Sequence, residues 1–212
     1  MLAAKLGHLG NKSDLTVLAL PRGGVPVAFE VAQRLNAPLD VFIVRKLGVP
    51  GQEELAMGAI APGGIVVLNE DLVNYLGIPR SVVDAVAAIE QIELERREAL
   101  YRGTRQPPVV EDRTIVLVDD GLATGSTMRA AISAVRQQKP RRIIVAVPVA
   151  PPSTQRQLEK EADEVYSLLQ PEPFEGVGRW YSDFSQTGDD EVRSLIDQSS
   201  GRESDAKQVG VN

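Results

Sequence analysis

The stretch VLVDDGLATGST, residues 116–127, joins an apolar run to two acids and then to a loop of small residues. The apolar run 114–118 predicts a buried β-strand that delivers Asp119 and Asp120 at its carboxyl end. The glycines and hydroxyl residues of 121–127 predict a tight loop that opens a helix. This stretch therefore places two carboxylates beside the backbone N–H groups of a helix N-terminus.

That arrangement matches the chemistry of a sugar phosphate. Successive N–H groups of such a loop converge on an anion, and the positive end of the helix strengthens the attraction. Thr124, Ser126 and Thr127 can add hydroxyl donors, while Asp119 and Asp120 can accept hydrogen bonds from neighbouring sugar hydroxyls. The alternative is purely structural: the acids cap the helix and the glycines form a turn.

Other nucleotide and phosphate motifs do not fit this loop. A P-loop needs a lysine before its hydroxyl residue, and the run Gly125, Ser126, Thr127 has none. The three-glycine fingerprint of dinucleotide-binding folds is missing after the strand. The Asp-x-Asp spacing of phosphatases that use an aspartate nucleophile is missing too.

Outward from this stretch, apolar runs alternate with helical periods, which predicts parallel βα units. The predicted strands are 16–20, 41–44, 114–118, 143–147 and 165–168, with 65–68 at an edge or in a hairpin with 56–60. The predicted helices are 25–35, 81–101, 126–138 and 153–161. The sequence thus predicts an α/β fold with an open, mostly parallel five-stranded sheet covered by helices on both faces.

Polar residues also follow the first two predicted strands. Arg22, Gly23 and Gly24 come after the first strand. Arg45 and Lys46 come directly after the second and are followed by a predicted loop at 47–55. Ligands of open parallel sheets bind at the carboxyl ends of the strands, where all these residues fall. Glycine allows close approach of the backbone to a ligand, and arginine can bind an anion through two nitrogens.

Composition narrows the function classes. The 212 residues contain no cysteine and one histidine, which excludes disulfides, thiol nucleophiles and multi-histidine metal sites. With 23 basic against 29 acidic residues, the net charge is −6, a poor balance for binding nucleic acid. No apolar run is long enough to span a membrane and no signal-peptide pattern is present, so we expect a cytoplasmic protein without a membrane partner.

The chain divides into three predicted parts. Residues 1–170 form the core, 171–197 a small C-terminal hood, and 198–212 a disordered tail without a core pattern. Aromatic residues concentrate in the hood, namely Phe174, Trp180, Tyr181 and Phe184. Their rings can stack on a flat acceptor while Asp183 or Gln186 binds its edge. Alternatively, they form a small hydrophobic cluster that closes the lobe.

Residues 116–127 resemble the signature of the type I phosphoribosyltransferases. The resemblance covers roughly 16–168, and 18–64 together with 180–186 is similar to a bacterial group of stand-alone phosphoribosyltransferase-domain proteins of unassigned acceptor. It implies a transferase of nucleotide metabolism that takes phosphoribosyl pyrophosphate (PRPP) with Mg²⁺, releases pyrophosphate and works as a homodimer.

The resemblance also implies roles for particular residues. Asp119 and Asp120 would contact the ribose hydroxyls, with Mg²⁺ reaching them only through PRPP or water. The loop Ala123, Thr124, Gly125, Ser126 and Thr127 would hold the 5-phosphate. Arg22, Gly23 and Gly24 would form the pyrophosphate loop, which in this family often contains a cis peptide. Arg45 and Lys46 would assist on pyrophosphate, and Phe174, Trp180, Tyr181 and Asp183 would face the acceptor.

One position departs from the family pattern. Purine-using members carry an acid three residues after the second acid of the pair, and here Ala123 stands there. Two functions stay open: transfer to a small, nitrogenous acceptor, or PRPP or nucleotide binding by a non-catalytic regulator.

The charged helix end with Arg96, Arg97 and Arg102 is interpreted as a solvated face with pairs such as Glu93–Arg97. The alternative is a lid over pyrophosphate.

Overall fold

The structure, a computed structural model, describes the backbone of residues 1–209 and the side chains of residues 1–200. The strands are β1 Leu15–Ala19, β2 Leu39–Val41, β3 Arg45–Val49, β4 Gln52–Ala61, β5 Ile65–Leu68, β6 Thr114–Val118, β7 Arg142–Val149 and β8 Glu164–Leu169. The α-helices are α1 Leu2–Lys5, α2 Gly24–Leu35, α3 Glu70–Leu76, α4 Arg80–Arg102, α5 Ser126–Gln137, α6 Pro152–Leu158 and α7 Asp189–Val209. None of the helices in this part of the chain is long and apolar enough to cross a membrane.

The main sheet has the strand order β2-β1-β6-β7-β8 and is parallel throughout. All five residues of β6 are buried, with Val116 and Val118 in one hydrophobic core and Ile115 and Leu117 in the other. Because successive side chains of a strand point to opposite faces, both faces of the sheet must be covered. Residues of α2 and α7 belong to the first core and residues of α5 and α6 to the second. The predicted five-stranded α/β sheet is confirmed.

A second sheet stands between β2 and β6 along the chain. Strands β3, β4 and β5 form it as an antiparallel unit, which confirms the predicted hairpin of 65–68 with 56–60. The prediction of a loop at 47–55 is wrong, because Leu47 and Val49 alternate inward along β3 and the strand pairs with β4. The second predicted strand is also displaced, since β2 ends at Val41.

The C-terminal helix replaces most of the predicted disordered tail. Helix α7 extends to Val209, so 198–209 is helical, while 210–212 lie outside the described residues. Val192 and Ile196 are fully buried beside α2, and Arg105 donates a hydrogen bond to the Ile196 carbonyl. The polar composition concealed this helix, because few of its residues reach the core. The boundary of the hood at 170 remains a prediction.

Candidate functional site

The site lies at the carboxyl ends of the neighbouring strands β1 and β6, where the chain leaves the two strands in opposite directions. Strands β1 and β6 are neighbours, but the chain continues from β1 to β2 on one side and from β6 to β7 on the other. Loops that leave such a point in opposite directions open a crevice. The two loops start together, since the Leu20 N–H donates to the Val118 carbonyl at 2.9 Å. The predicted loop 21–24 therefore emerges beside the acid pair.

Two glycines bring these loops into contact. A methyl group at Gly23 would lie 1.9 Å from Asp120 Oδ2, and one at Gly24 would lie 2.8 Å from the Val118 carbonyl oxygen. Neither position has room for a side chain. The peptide bond between Pro21 and Arg22 is cis. The structure thus brings the predicted pyrophosphate-loop residues and the acid pair into one cluster.

The acid pair sits in an unfavourable environment for charge. Burial raises the pKa of Asp119 to about 8, and the negative charge of Asp120 adds to the shift. The Asp120 N–H donates to Asp119 Oδ1 at 2.9 Å and partly offsets it. Burial also raises the pKa of Asp120. Hydroxyl donors or a nearby cation would lower these pKa values, because both stabilise the charged form of a carboxylate.

The loop after the acid pair is open toward solvent. Gly125 has a φ of +72° and precedes α5, whose N-terminus has no side-chain cap. Ala123, Thr124, Ser126 and Thr127 are exposed, and the Thr124 hydroxyl lies 3.3 Å from Ser126 Oγ. The Thr154 hydroxyl fixes the loop from behind by donating to the Ala123 carbonyl at 2.7 Å. The exposed hydroxyls and the N–H groups at the start of α5 can bind an anion.

The hood meets the acid pair through Tyr181. Its hydroxyl donates to the Asp120 carbonyl at 2.5 Å, and its ring packs against Phe184 with centroids 5.2 Å apart. Burial, followed by the charges of Asp120 and Asp119, raises the pKa of Tyr181. Both rings, with Asp183 and Arg22, line a cavity of about 490 Å³.

Not all predicted hood residues take part. Phe174 and Trp180 do not line this cavity, and Trp180 is 42% exposed. Gln186, which the sequence offered as an edge contact, does line it. The predicted aromatic cluster is therefore a pair of rings beside a cavity.

The second basic group lies elsewhere. Arg45 and Lys46 were expected directly after the second strand, at its carboxyl end, but both belong to β3. Arg45 forms an ion pair with Glu90 of α4 at 2.5 Å. Lys46 lines a separate cavity of about 600 Å³ together with Ser126 and Thr127. Lys46 thus shares a cavity with the anion loop, whereas Arg45 is engaged by α4.

The charged end of α4 was predicted to be a solvent-exposed face with ion pairs, and the structure agrees with this only in part. Glu93 pairs with both Arg96 and Arg97 at 2.7 Å, which includes the predicted Glu93–Arg97 pair. Arg102 is buried instead, and it binds Asp40 of β2 at 3.1 Å. Arg102 is therefore fixed inside the fold.

Sequence reasoning missed Asp189 and Tyr101. Arg22 Nη1 lies 3.6 Å from Asp189 Oδ1, and the Tyr101 hydroxyl donates to the same oxygen at 2.6 Å. These residues are distant along the chain, and no local pattern marked them. Among the described residues, no group of three or more acidic, histidine or cysteine side chains could hold a metal ion.

Known proteins resemble this chain over nearly its full length. A Mycobacterium tuberculosis H37Rv protein provisionally named a phosphoribosyl transferase is 46% identical over 197 residues, which are 93% of this chain and 44% of that protein. The chain therefore spans less than half of that relative. The crystal structure of the Thermus thermophilus protein TT1426 is 44% identical, covers 92% of both chains and superposes with a TM-score of 0.82.

A relative of lower identity matches a smaller part of the chain. The bifunctional protein PyrR of Chloroflexus aurantiacus is 33% identical over 145 residues, 66% of this chain and 72% of that protein. The family model described as the phosphoribosyl transferase domain matches residues 1–178, which include both loops of the crevice. The chain belongs to the phosphoribosyl transferase domain family.

Proposed function

We propose that this protein transfers the phosphoribosyl group of PRPP to a small, nitrogenous acceptor. The bond from ribose C1 to pyrophosphate breaks, and its electron pair leaves with pyrophosphate. The acceptor nitrogen forms the new bond to C1 and loses its proton to a base or to water. The observation that carries the proposal is the contact of an arginine- and glycine-containing loop with two half-buried acids beside an uncapped helix N-terminus.

Each loop has a part in this reaction. Asp119 and Asp120 accept hydrogen bonds from the ribose hydroxyls and fix the ring. Residues 123–127 bind the 5-phosphate through N–H groups and hydroxyls. Arg22 and the Gly23 N–H stabilise the charge that develops on departing pyrophosphate, while Gly24 allows the loop to lie against β6.

Magnesium fits the donor set of this cluster. Mg²⁺ is usually held by one or two carboxylates together with waters and substrate phosphates, rather than by a cage of protein ligands. Asp119 and Asp120 are two adjacent carboxylates whose pKa values are raised by burial, and for Asp119 also by the charge of Asp120. They would hold the ion through water or PRPP, and the ion would neutralise charge on the leaving pyrophosphate.

The two basic residues of β3, Arg45 and Lys46, are proposed to contribute differently. Lys46 shares its cavity with Ser126 and Thr127, which supports a contribution on the 5-phosphate side. Glu90 engages two nitrogens of Arg45, Nε at 2.7 Å and Nη2 at 2.5 Å, so fewer donors remain for the predicted action on pyrophosphate. Arg45 is the weaker member of the predicted basic pair.

The acceptor is proposed to occupy the cavity of about 490 Å³ under the hood. Tyr181 and Phe184 offer ring faces, and Asp183 and Gln186 offer polar edges. Arg22 borders the same cavity, so an acceptor there lies next to the proposed pyrophosphate site.

A second candidate is a regulator that binds PRPP or a nucleotide without turnover. Ala123 favours it, because this position offers no acid to handle a proton of a purine. The retained Arg22 loop favours the transferase, since a sensor of nucleoside monophosphates alone would not need it.

A cytoplasmic location and a homodimer remain proposals. Light scattering on the purified protein tests whether it is a homodimer.

Calorimetric titration with PRPP, with and without Mg²⁺, tests the proposal. We expect Mg²⁺-dependent binding that an Asp119→Asn/Asp120→Asn double variant loses, followed by pyrophosphate release with an accepted acceptor. The neighbouring exposed pair Glu111→Gln/Asp112→Asn, which lies before β6, provides a control of equal charge change. Absence of binding by the unmodified protein would overturn the proposal. Binding without pyrophosphate release across a panel of bases and amines would favour the regulator.

A further inference from the structure

Arg22 is connected to the C-terminal helix. Its Nη1 atom lies 3.6 Å from Oδ1 of Asp189, the first residue of α7. The two side chains are 35% and 47% exposed, so the ion pair lies at the rim of the crevice. Arg22 also lines the cavity of about 490 Å³, together with Gly23 and Asp120.

Asp189 is fixed in turn by a buried side chain. Tyr101, at the end of α4, is 3% exposed and donates its hydroxyl to Asp189 Oδ1 at 2.6 Å. This hydrogen bond lowers the pKa of Asp189, as do the charges of Arg22 and Arg97. Burial and the bond to Asp189 raise the pKa of Tyr101 to about 12. Asp189 therefore stays ionised, and Tyr101 stays a hydrogen-bond donor, across neutral pH.

The geometry leaves Arg22 free to bind an anion. A guanidinium carries five N–H donors, and its shortest distance to Asp189, from Nη1, is 3.6 Å. An arginine side chain otherwise samples many rotamers, and ordering it on binding costs affinity. A partner that restrains one nitrogen reduces this cost and leaves the other donors available.

We infer that Asp189 is a positioning residue that holds the Arg22 guanidinium at the mouth of the crevice for pyrophosphate, with Tyr101 fixing Asp189. The inference rests on the proposed function, in which Arg22 binds the pyrophosphate group. It assigns a role in the site to a helix that lies beyond the family match, which ends at 178.

Titration with inorganic pyrophosphate and Mg²⁺ tests this inference. An exposed, loosely held ion pair contributes little free energy, so we expect Asp189→Asn to weaken binding by about two- to fivefold only. Asp190→Asn is the matched control, because the neighbouring Asp190 is fully exposed and pairs only at 3.8 Å with Arg193. Equal Kd values for the Asp189→Asn variant and the unmodified protein, or equal losses in both variants, would overturn the inference.

A double-mutant cycle separates positioning from general damage. If Asp189 acts through Arg22, Asp189→Asn has no further effect on pyrophosphate affinity in an Arg22→Gln background. Tyr101→Phe should weaken binding in the same direction, and Asp189→Glu should restore part of it. Additive losses in the cycle would contradict a role through Arg22. If the unmodified protein binds neither pyrophosphate nor PRPP, the proposed function fails together with the inference, whereas normal binding unaffected by Asp189→Asn overturns the inference alone.

Discussion

The Tyr181 hydroxyl donates to the carbonyl oxygen of Asp120 at 2.5 Å. This bond joins the hood to the backbone that presents the second acid of the pair. The hood and the crevice are therefore coupled at the residue proposed to bind the ribose ring.

Removal of this hydroxyl gives the first prediction. Tyr181→Phe keeps the ring beside Phe184 but leaves the Asp120 carbonyl without its donor, so we expect a loss of about 0.5–1.5 kcal/mol in the free energy of unfolding. PRPP affinity should fall as well, because the backbone at Asp120 gains freedom. Denaturant unfolding and calorimetry measure the two effects. Tyr75→Phe, at an 86% exposed tyrosine, is the control; equal behaviour of both variants would contradict the coupling.

The buried charge of Asp119 should cost stability at high pH. The folded-state pKa of about 8 lies above the unfolded value, so the folded state holds an extra proton between about pH 4 and pH 8. The stability contributed by this group is thus complete in acid and is lost as pH rises toward 8. We expect the Tm difference between Asp119→Asn and the unmodified protein to be smallest at or below about pH 4, and the variant's Tm to be higher by at least about 2–4 °C at pH 8.5, the shift that 1 kcal/mol gives at this size. Thermal scans across pH measure it, and a constant Tm difference would contradict it.

The same group should make PRPP binding depend on pH. Below its pKa of about 8, Asp119 must release a proton before it can act as a carboxylate toward ribose hydroxyls and Mg²⁺. We expect affinity for Mg²⁺–PRPP to rise by at most about tenfold per pH unit as pH approaches 8, and to level off above it. Calorimetry in buffers of different ionisation enthalpy measures the proton release. The Asp119→Asn variant cannot titrate at this position, so its pH profile shows the contribution of PRPP's own phosphates. Parallel pH profiles of the variant and the unmodified protein would count against the proposed role of Asp119.

Gly125 should tolerate no side chain. Its φ of +72° costs an alanine about 1–2 kcal/mol, and the added methyl would lie 2.8 Å from Thr154 Cγ2. We expect Gly125→Ala to lower the Tm and to abolish PRPP binding, since the clash displaces the side chain that holds the Ala123 carbonyl. Gly51→Ala isolates the backbone part, because Gly51 has a φ of +80° with open space around it. Equal losses of stability in both variants would exclude the clash.

Local patterns predicted the centre of the site. Strand β6, the acid pair and the loop that opens α5 lie within one short stretch, where apolar period, glycine placement and hydroxyl spacing act together. The strand order then brought loop 21–24 against Asp120, as expected for loops at the carboxyl ends of neighbouring parallel strands.

The remaining features depend on contacts that no local pattern carries. Arg45 was expected to act on pyrophosphate, but its guanidinium pairs with Glu90, which lies 45 positions further along the chain. Tyr101 and Asp189 are 88 positions apart, and neither stands in a motif. The alternation along β3 was obscured by Gly48 and a basic residue, so its pairing with β4 became evident only in the folded chain.

Helix α7 determines where the protein can be shortened. A fragment that ended at the family boundary, residue 178, would remove Val192 and Ile196 from the core beside α2. It would also remove the carboxylate that holds Arg22. Apolar surface of α2 would then face water, and such a fragment should aggregate on purification even though it contains every residue of the family match. Fragments for crystallisation or display must therefore retain the chain through at least residue 200.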